Sequence, residues 1–455
     1  MTLAPLATSP TVDITRLIAA APLGPIHLRV GVLCALVMLL DGLDGQIIAY
    51  LGPSLSREWK LSNPALGQIF SAGLVGMLLG LVVIGPLADR FGRRRTIAVS
   101  AALMGLCTLL TATAGSAGEL LFYRVVVGIG LGGTMPNAAA LVGDYCPDRW
   151  RGTLVAAIFT GFSIGSILGG WLTAALVAEY GWRSVLVTAG VVTLPIAPFL
   201  WLLLPDSPHL MLRGGQREGL IKLLGQISPN TSVAAQTKLV LSGNTGSRSP
   251  PRQIFQGGRA TGTLLIWIAC FMGLVELYFL NNWLPTLLTQ NGLGLRASVI
   301  VTTAFSAGGI VGCLSIGRMM DRVGFAPVLA VAFLCGAAIV PSIGLAPGSL
   351  IAVFGTIFLA GFFVAGAQIG LTALAVSFYP AAMRSTGVSW ALGAGRIGAI
   401  CGPLLAGWLL GLGWSTTKVL FAASIPMLGA ASAMIAMVLW SAHRNRQMIA
   451  QQLPQ

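Results

Sequence analysis

Apolar residues run along this chain in long blocks, each ended by glycine, proline or a cluster of charge. A helix needs about 20 such residues to cross the hydrocarbon of a bilayer. The pattern predicts twelve spanning helices, at 28–52, 65–88, 95–114, 119–143, 152–178, 183–204, 261–289, 298–320, 326–346, 349–379, 385–411 and 416–441. A polar stretch rich in proline, glycine and serine separates the sixth from the seventh. The expected fold is therefore all-α and polytopic: an N-terminal segment 1–27, a six-helix bundle 28–204, a central loop 205–260, a second six-helix bundle 261–441 and a tail 442–455.

Composition agrees with the pattern. The 455 residues are 55% hydrophobic and only 9% charged, where a soluble protein carries about 25% charged residues. The formal charge of +14 suggests a nucleic-acid partner until the bases are placed. With both termini and the central loop in the cytoplasm, 20 of the 27 lysines and arginines lie on that side and five on the other, leaving Arg124 and Arg396 inside helices. That asymmetry is the mark of a cell (inner) membrane protein with cytoplasmic termini, and it removes the need for nucleic acid. Seven scattered cysteines without a CxxC pair, and three histidines that form no cluster, predict no metal site, cofactor or disulfide framework. Residues 1–26 lack the basic start and apolar core of a cleavable signal peptide.

The two bundles repeat one another. Gly85-Pro-Leu-Ala-Asp89-Arg90-Phe-Gly92 recurs 232 residues later as Gly317-Arg-Met-Met-Asp321-Arg322-Val-Gly324. Pro147 and Arg151 recur as Pro380 and Arg384, and Gly165-x3-Gly169 as Gly398-x3-Gly402, both at 233. Asp44 and Pro53 map onto Glu276 and Pro285 at 232. Two similar halves with the same orientation are related by an axis along the membrane normal.

Charge inside the spans marks the candidate chemistry, because an ionisable group surrounded by lipid is costly. Asp41 and Asp44 lie three apart in the first helix, hence on one face. That face should turn to a wettable, protein-lined cavity, where two adjacent acids can share a proton. Arg124 lies at a depth similar to Asp44, each roughly 8–9 Å from the outer end of its helix. The two form either a static ion pair or one that protonation of an acid releases. Arg396 falls near the midplane, where its planar guanidinium suits a carboxylate. Glu276, at comparable depth, is a candidate partner that would guard Arg396 until a substrate carboxylate arrives; it joins Asp41 and Asp44 as a proton-coupling candidate, and Arg124 joins Arg396 as a candidate for substrate binding. Tyr278, Trp283, Trp390, Phe159 and Phe162 could wall an aromatic ring, with Asn281, Asn282 and Gln368 for a ring hydroxyl. For any one of these aromatic residues an interfacial belt or plain packing is the better explanation, and only the set is informative.

Gly85-x3-Asp89-Arg90-x-Gly92-Arg93-Arg94-Arg95 resembles the signature loop of the major facilitator superfamily, and Asp321 and Arg322 sit in a weaker copy that lacks the basic tail. Asp144, Arg151 and Arg384 resemble the charges of that superfamily's cytoplasmic gate. Within it, Asp41-Gly-Leu-Asp44-Gly and Asn281-Asn282-Trp283-Leu284-Pro285-Thr286 are similar to elements of the aromatic acid:proton symporter family. The resemblance implies alternating-access uptake of a benzoate or hydroxybenzoate with protons, by a monomer serving aromatic hydrocarbon catabolism.

A proton-coupled exporter of drugs is the rival reading. Gly161-x3-Gly165-Ser166-x2-Gly169-Gly170 has the exporter spacing, but Ser166 stands where those proteins have proline. Sodium could replace the proton at a carboxylate pair. A sensor would be expected to carry an appended soluble domain. Enzymatic activity is not expected, since no nucleophile–base pair, metal cluster or phosphate loop is found.

Overall fold

A computed structural model of the chain describes residues 11–214, 216–227, 238–240, 251–345, 349–380 and 383–452. Helix α1 (Ile14–Ala20) precedes the spanning set. The first half then runs α2 (Pro25–Glu58), α3 (Asn63–Phe91), α4 (Arg93–Ala112), α5 (Ala117–Tyr145), α6 (Arg151–Thr193) and α7 (Ile196–Leu203). Short helices α8 (Pro208–Arg213) and α9 (Arg217–Ile227) follow. The second half is α10 (Ala260–Gln290), α11 (Leu295–Val323), α12 (Phe325–Leu345), α13 (Leu350–Phe378), α14 (Arg384–Gly411) and α15 (Thr416–Gln452).

Among the described residues, eleven helical stretches are long and apolar enough to span a membrane, the longest being Asp148–Leu203 with 56 residues. At 1.5 Å per residue a straight helix of that size would reach roughly 84 Å, almost three hydrocarbon thicknesses. It folds back instead at Gly181, whose φ of 75° and ψ of 171° lie where a side chain is strained. This turn yields the twelve predicted crossings. Glu58, at the end of α2, holds the turn by accepting from the Trp182 indole at 2.6 Å and the Arg183 guanidinium at 2.7 Å.

The glycines that close the two Asp-Arg-x-Gly copies have one conformational task. Gly92 and Gly324 terminate α3 and α11 with φ of 103° and 102°, a region that favours glycine. The repeat extends to packing. Gly76 lies against the Val125 carbonyl and its equivalent Gly308 against that of Phe358; Gly80 meets Ile129 as Gly312 meets Phe362. In each case a Cβ would overlap backbone, so these α3–α5 and α11–α13 contacts need glycine.

Two differences from the predicted elements have clear causes. The first helix continues through Pro53 to Glu58, because neighbouring helices in a bundle tolerate the lost backbone bond. The central stretch, expected as a loop, contains α8 and α9. Leu220 and Leu224 of α9 are buried with Ile14 and Ile18 of α1 against the first half. A strand Thr11–Asp13 pairs in parallel with Lys238–Val240. The rest of that stretch, 228–237 and 241–250, lies outside the described residues.

The two halves meet along α2–α10, α3–α14 and α6–α11. Ser71 donates to the Ile400 carbonyl at 2.9 Å, Ser166 and Ser306 hydroxyls lie 3.0 Å apart, and Gln46 donates to the Asn281 carbonyl. Gly67 packs against Pro403 and Gly407 against Asn63. These contacts run from mid-helix to the end remote from the signature loops. The bundle is therefore closed at that end, and the contacts that would join its halves at the basic end are not among them.

Candidate functional site

The first cluster is built where α2, α4 and α5 meet. Gly42, between the two acids, lies so close to α6 that a Cβ there would come within 1.9 Å of the Phe162 carbonyl oxygen. That contact turns one face of α2 to α6 and leaves Asp41 and Asp44 facing α4 and α5. Both acids are buried. Thr134 of α5 donates to Asp41 Oδ2 at 2.5 Å, and Thr108 of α4 donates to Asp44 Oδ1 at 2.5 Å. Arg124 places Nη1 3.6 Å from Asp44 Oδ2 and donates from Nη2 to the Asp44 backbone carbonyl at 3.4 Å.

The Asp44–Arg124 pair is close but loose. A strong charge-assisted bond would be about 2.7–2.9 Å, and Asp41 Oδ1, Asp44 Oδ2 and Arg124 Nε and Nη1 have no hydrogen-bond partner. Buried polar atoms normally find one, so the cluster keeps capacity for a proton. Its solvent exposure differs from the expectation. Asp41 and Arg124 are only 0% and 2% exposed, so this conformation encloses them within the first half rather than presenting them to an open passage.

The second cluster surrounds Arg396 on α14. Gly398 sets α14 against the Phe271 carbonyl of α10, while Gly395 faces Leu274 and Cys270. From this close pair of helices the half-buried guanidinium reaches across to the first half. Nη1 lies 3.3 Å from the Tyr278 hydroxyl and 3.3 Å from Met77 Sδ, and Nη2 lies 4.0 Å from Met135 Sδ. Thioether sulfur is only a weak acceptor. Among the described residues Arg396 has no ion pair with a carboxylate.

Glu276 therefore does not occupy the guarding position expected of it. Depth along the helix was matched, but azimuth was not. Tyr278 faces Arg396, and a residue two positions away points roughly 200° around the helix. Glu276 is fully buried, and both carboxyl oxygens have no partner.

The other candidates separate by location. Trp283 is buried; its indole donates to the Pro403 carbonyl at 3.0 Å and its ring meets Phe70 edge-on at 5.4 Å. It packs within the closed end. Asn282 donates to the carbonyl of Tyr278 on its own helix at 2.8 Å, and the Asn281 carbonyl receives Gln46. Phe159 and Trp390 are exposed towards the basic half of their helices, with Trp390 stacked on Trp267 at 5.7 Å. Phe162 lines the α2–α6 contact, and Gln368 reaches from α13 to Gly273 on α10.

At the basic end, Asp144 binds Arg93 and accepts from the Ser207 hydroxyl at 2.5 Å, while Arg94 lies 3.6 Å from Asp206. These ties join α4 and α5 to the start of the central stretch and do not reach the second half. Arg151 pairs with Asp148 at 3.5 Å and donates to the Gly143 carbonyl at 3.0 Å, and Arg384 donates to the Tyr379 carbonyl at 3.3 Å. Asp89, Arg90, Asp321 and Arg322 are exposed. Thr108, Thr134, Met77 and Met135 were not anticipated. A lone hydroxyl or thioether in an apolar run has no periodic signature, and only its neighbours reveal its task.

Residues 34–354 and 297–452 match the family model of the Major Facilitator Superfamily. The gallate transporter of Pseudomonas putida is 38% identical over 93% of this chain and 95% of its own. The 4-hydroxybenzoate transporter PcaK of Pseudomonas aeruginosa is 36% identical over the same shares, 93% and 95%. In shape, the inward open conformation of the xylose transporter XylE from E. coli matches with a TM-score of 0.70 at 18% identity, covering 90% of this chain and 95% of that one.

Proposed function

Because this chain belongs to the major facilitator superfamily, we propose that it is a transporter that takes up an aromatic carboxylate of the hydroxybenzoate type together with protons, by alternating access. The observation that carries the reading is Arg396: a partly exposed guanidinium in mid-bundle, shared by both halves and bounded by a phenol hydroxyl and two thioethers, without a carboxylate of its own. An organic anion can supply the missing charge, and bidentate binding by a planar group rewards a carboxylate over a point charge. The names of the two relatives, both transporters of hydroxylated aromatic acids, support the substrate class.

Tyr278 would fix the anion's orientation, and Met77 and Met135, soft and polarizable, suit the face or edge of a ring. Phe159 and Trp390 lie nearer the basic end, along the way in or out, and Asn281, Asn282 and Gln368 remain candidates for a ring hydroxyl. Asp41 and Asp44 would carry the coupled proton, with Thr134 and Thr108 as donors to their ionised forms. Protonating Asp44 weakens its attraction to Arg124 and alters the α2–α5 contact, linking proton loading to helix packing. The charges Asp89, Arg90, Asp144, Arg151, Asp321, Arg322 and Arg384 would gate the basic end, and the distribution of lysine and arginine supports the reading of that end as the cytoplasmic side of a cell (inner) membrane protein. The path lies between halves of a single chain, so a monomer suffices.

Uptake of labelled 4-hydroxybenzoate by Arg396→Lys tests the reading. Losing a charged bidentate bond costs about 1.5–3 kcal/mol, so KM should rise roughly ten- to hundredfold. A KM equal to that of the unaltered protein would remove Arg396 from binding.

A further inference from the structure

The repeat permits a comparison of the two halves position by position. Offsets of 232 in α10–α12 and 233 in α13 place Glu276 at the position of Asp44, as the matched glycine contacts confirm. Every partner of the first-half acids has an apolar equivalent in the second half. Arg124 corresponds to Ile357, Thr108 to Val340, Thr134 to Ala367 and Asp41 to Gly273. Ile357, Val340 and Ala367 are buried. The acid has been kept while its cation, its hydroxyl donor, and the second acid with that acid's own donor are absent.

The neighbouring polar group is equally unpartnered. Gln368 of α13 approaches Gly273, one turn before Glu276, so closely that a Cβ there would lie 2.5 Å from its Oε1. Gln368 Oε1 and both Glu276 oxygens are buried without any hydrogen-bond partner, one another included. Charge does not compensate from elsewhere. Glu276 is the only charged residue of α10, and α12 and α13 have none. Those of α11 (Arg296, Arg318, Asp321, Arg322) and the lysine, histidine and arginines of α15 lie near helix ends. From α2, Asp44 is engaged by Arg124, and Arg396 of α14 lies against the Tyr278 face of α10, roughly 200° around that helix from Glu276. An ionised carboxylate with neither donor nor counter-charge is strongly disfavoured in such a place, whereas a neutral carboxyl needs only an acceptor for its O–H.

We propose that Glu276, with Gln368 beside it, is a second proton-carrying site that loads independently of the Asp41–Asp44–Arg124 cluster, so that each transport cycle moves a further proton. The site holds its proton in the state seen here, whose halves are joined at the end remote from the signature loops. It releases the proton towards the basic end when water from that end enters the α10–α13 contact. This rests on the proton-symport reading above.

The test is thermodynamic. Proteoliposomes are given a fixed 4-hydroxybenzoate gradient with the membrane potential clamped at zero, and the pH difference that brings net flux to zero is measured. The driving force scales with protons moved per anion, so if Glu276→Gln leaves one proton of two, the balancing pH difference should about double. An unchanged balance point overturns the second site while leaving symport intact. A wild-type balance point insensitive to pH overturns symport itself. Should Glu276→Gln fail to fold, infrared spectra of the Asp41→Asn/Asp44→Asn/Arg124→Leu protein, which strands no buried charge, provide a second readout. The carbonyl stretch of a protonated carboxyl, shifted in heavy water, should remain there, and its absence would refute the proposal.

Discussion

Arg124 is the most exacting residue of the first half, since it is enclosed with only one acid near enough to pair. Removing one member of a buried ion pair strands the other, at about 3–5 kcal/mol. Arg124→Leu should therefore lower thermal stability in detergent markedly, and adding Asp44→Asn should restore much of the loss. Equal stability of the single and double variants would show that the 3.6 Å contact carries little energy. Asp41, Asp44 and Arg124 were legible in the sequence because ionisable residues are conspicuous in apolar runs. Thr108 and Thr134 were not, because neutral hydroxyls commonly bond to their own helix. Glu276 and Arg396 were wrongly paired, because sequence gives rise per residue directly but azimuth only relative to a known contact.

At the scale of helices, glycine spacing decides which faces approach. The Asp-Gly-x-Asp-Gly element contains two glycines with different tasks. A Cβ at Gly42 would meet the Phe162 backbone oxygen at 1.9 Å, whereas at Gly45 it would sit 4.0 Å from the Phe162 ring. Overpacking typically costs about 1–3 kcal/mol, and backbone cannot rotate away as a side chain can. Gly42→Ala should fall at or beyond the top of that range and abolish uptake, while Gly45→Ala should fold and transport nearly normally. Matching losses in yield and uptake for the two variants would contradict the packing described. The twelve crossings were legible from apolar run lengths. The passage of α2 through Pro53, and the burial of α9 with α1, were not, because both depend on neighbours distant in sequence.

For the whole molecule, the doubled architecture was readable from motifs that keep one offset, and the structure extends that symmetry to individual helix contacts. Function departs from it. The first half holds a carboxylate pair with its cation and hydroxyls, and the second holds Arg396 together with a carboxyl that has neither. Such a division allows the proton of the carboxylate pair and an organic anion to load on different halves while both bias one rearrangement, which is how a gradient of one can drive the other. The state seen here is joined from mid-helix to the end remote from the signature loops, so the passage would communicate with the basic end.

Uptake of labelled 4-hydroxybenzoate into proteoliposomes, with an acid exterior imposed and then collapsed by a protonophore, tests this coupling most directly. Accumulation above equilibrium is expected while the exterior is the more acidic side, growing with the pH difference and vanishing when it is collapsed. Accumulation that persists unchanged after collapse would contradict proton-driven uptake.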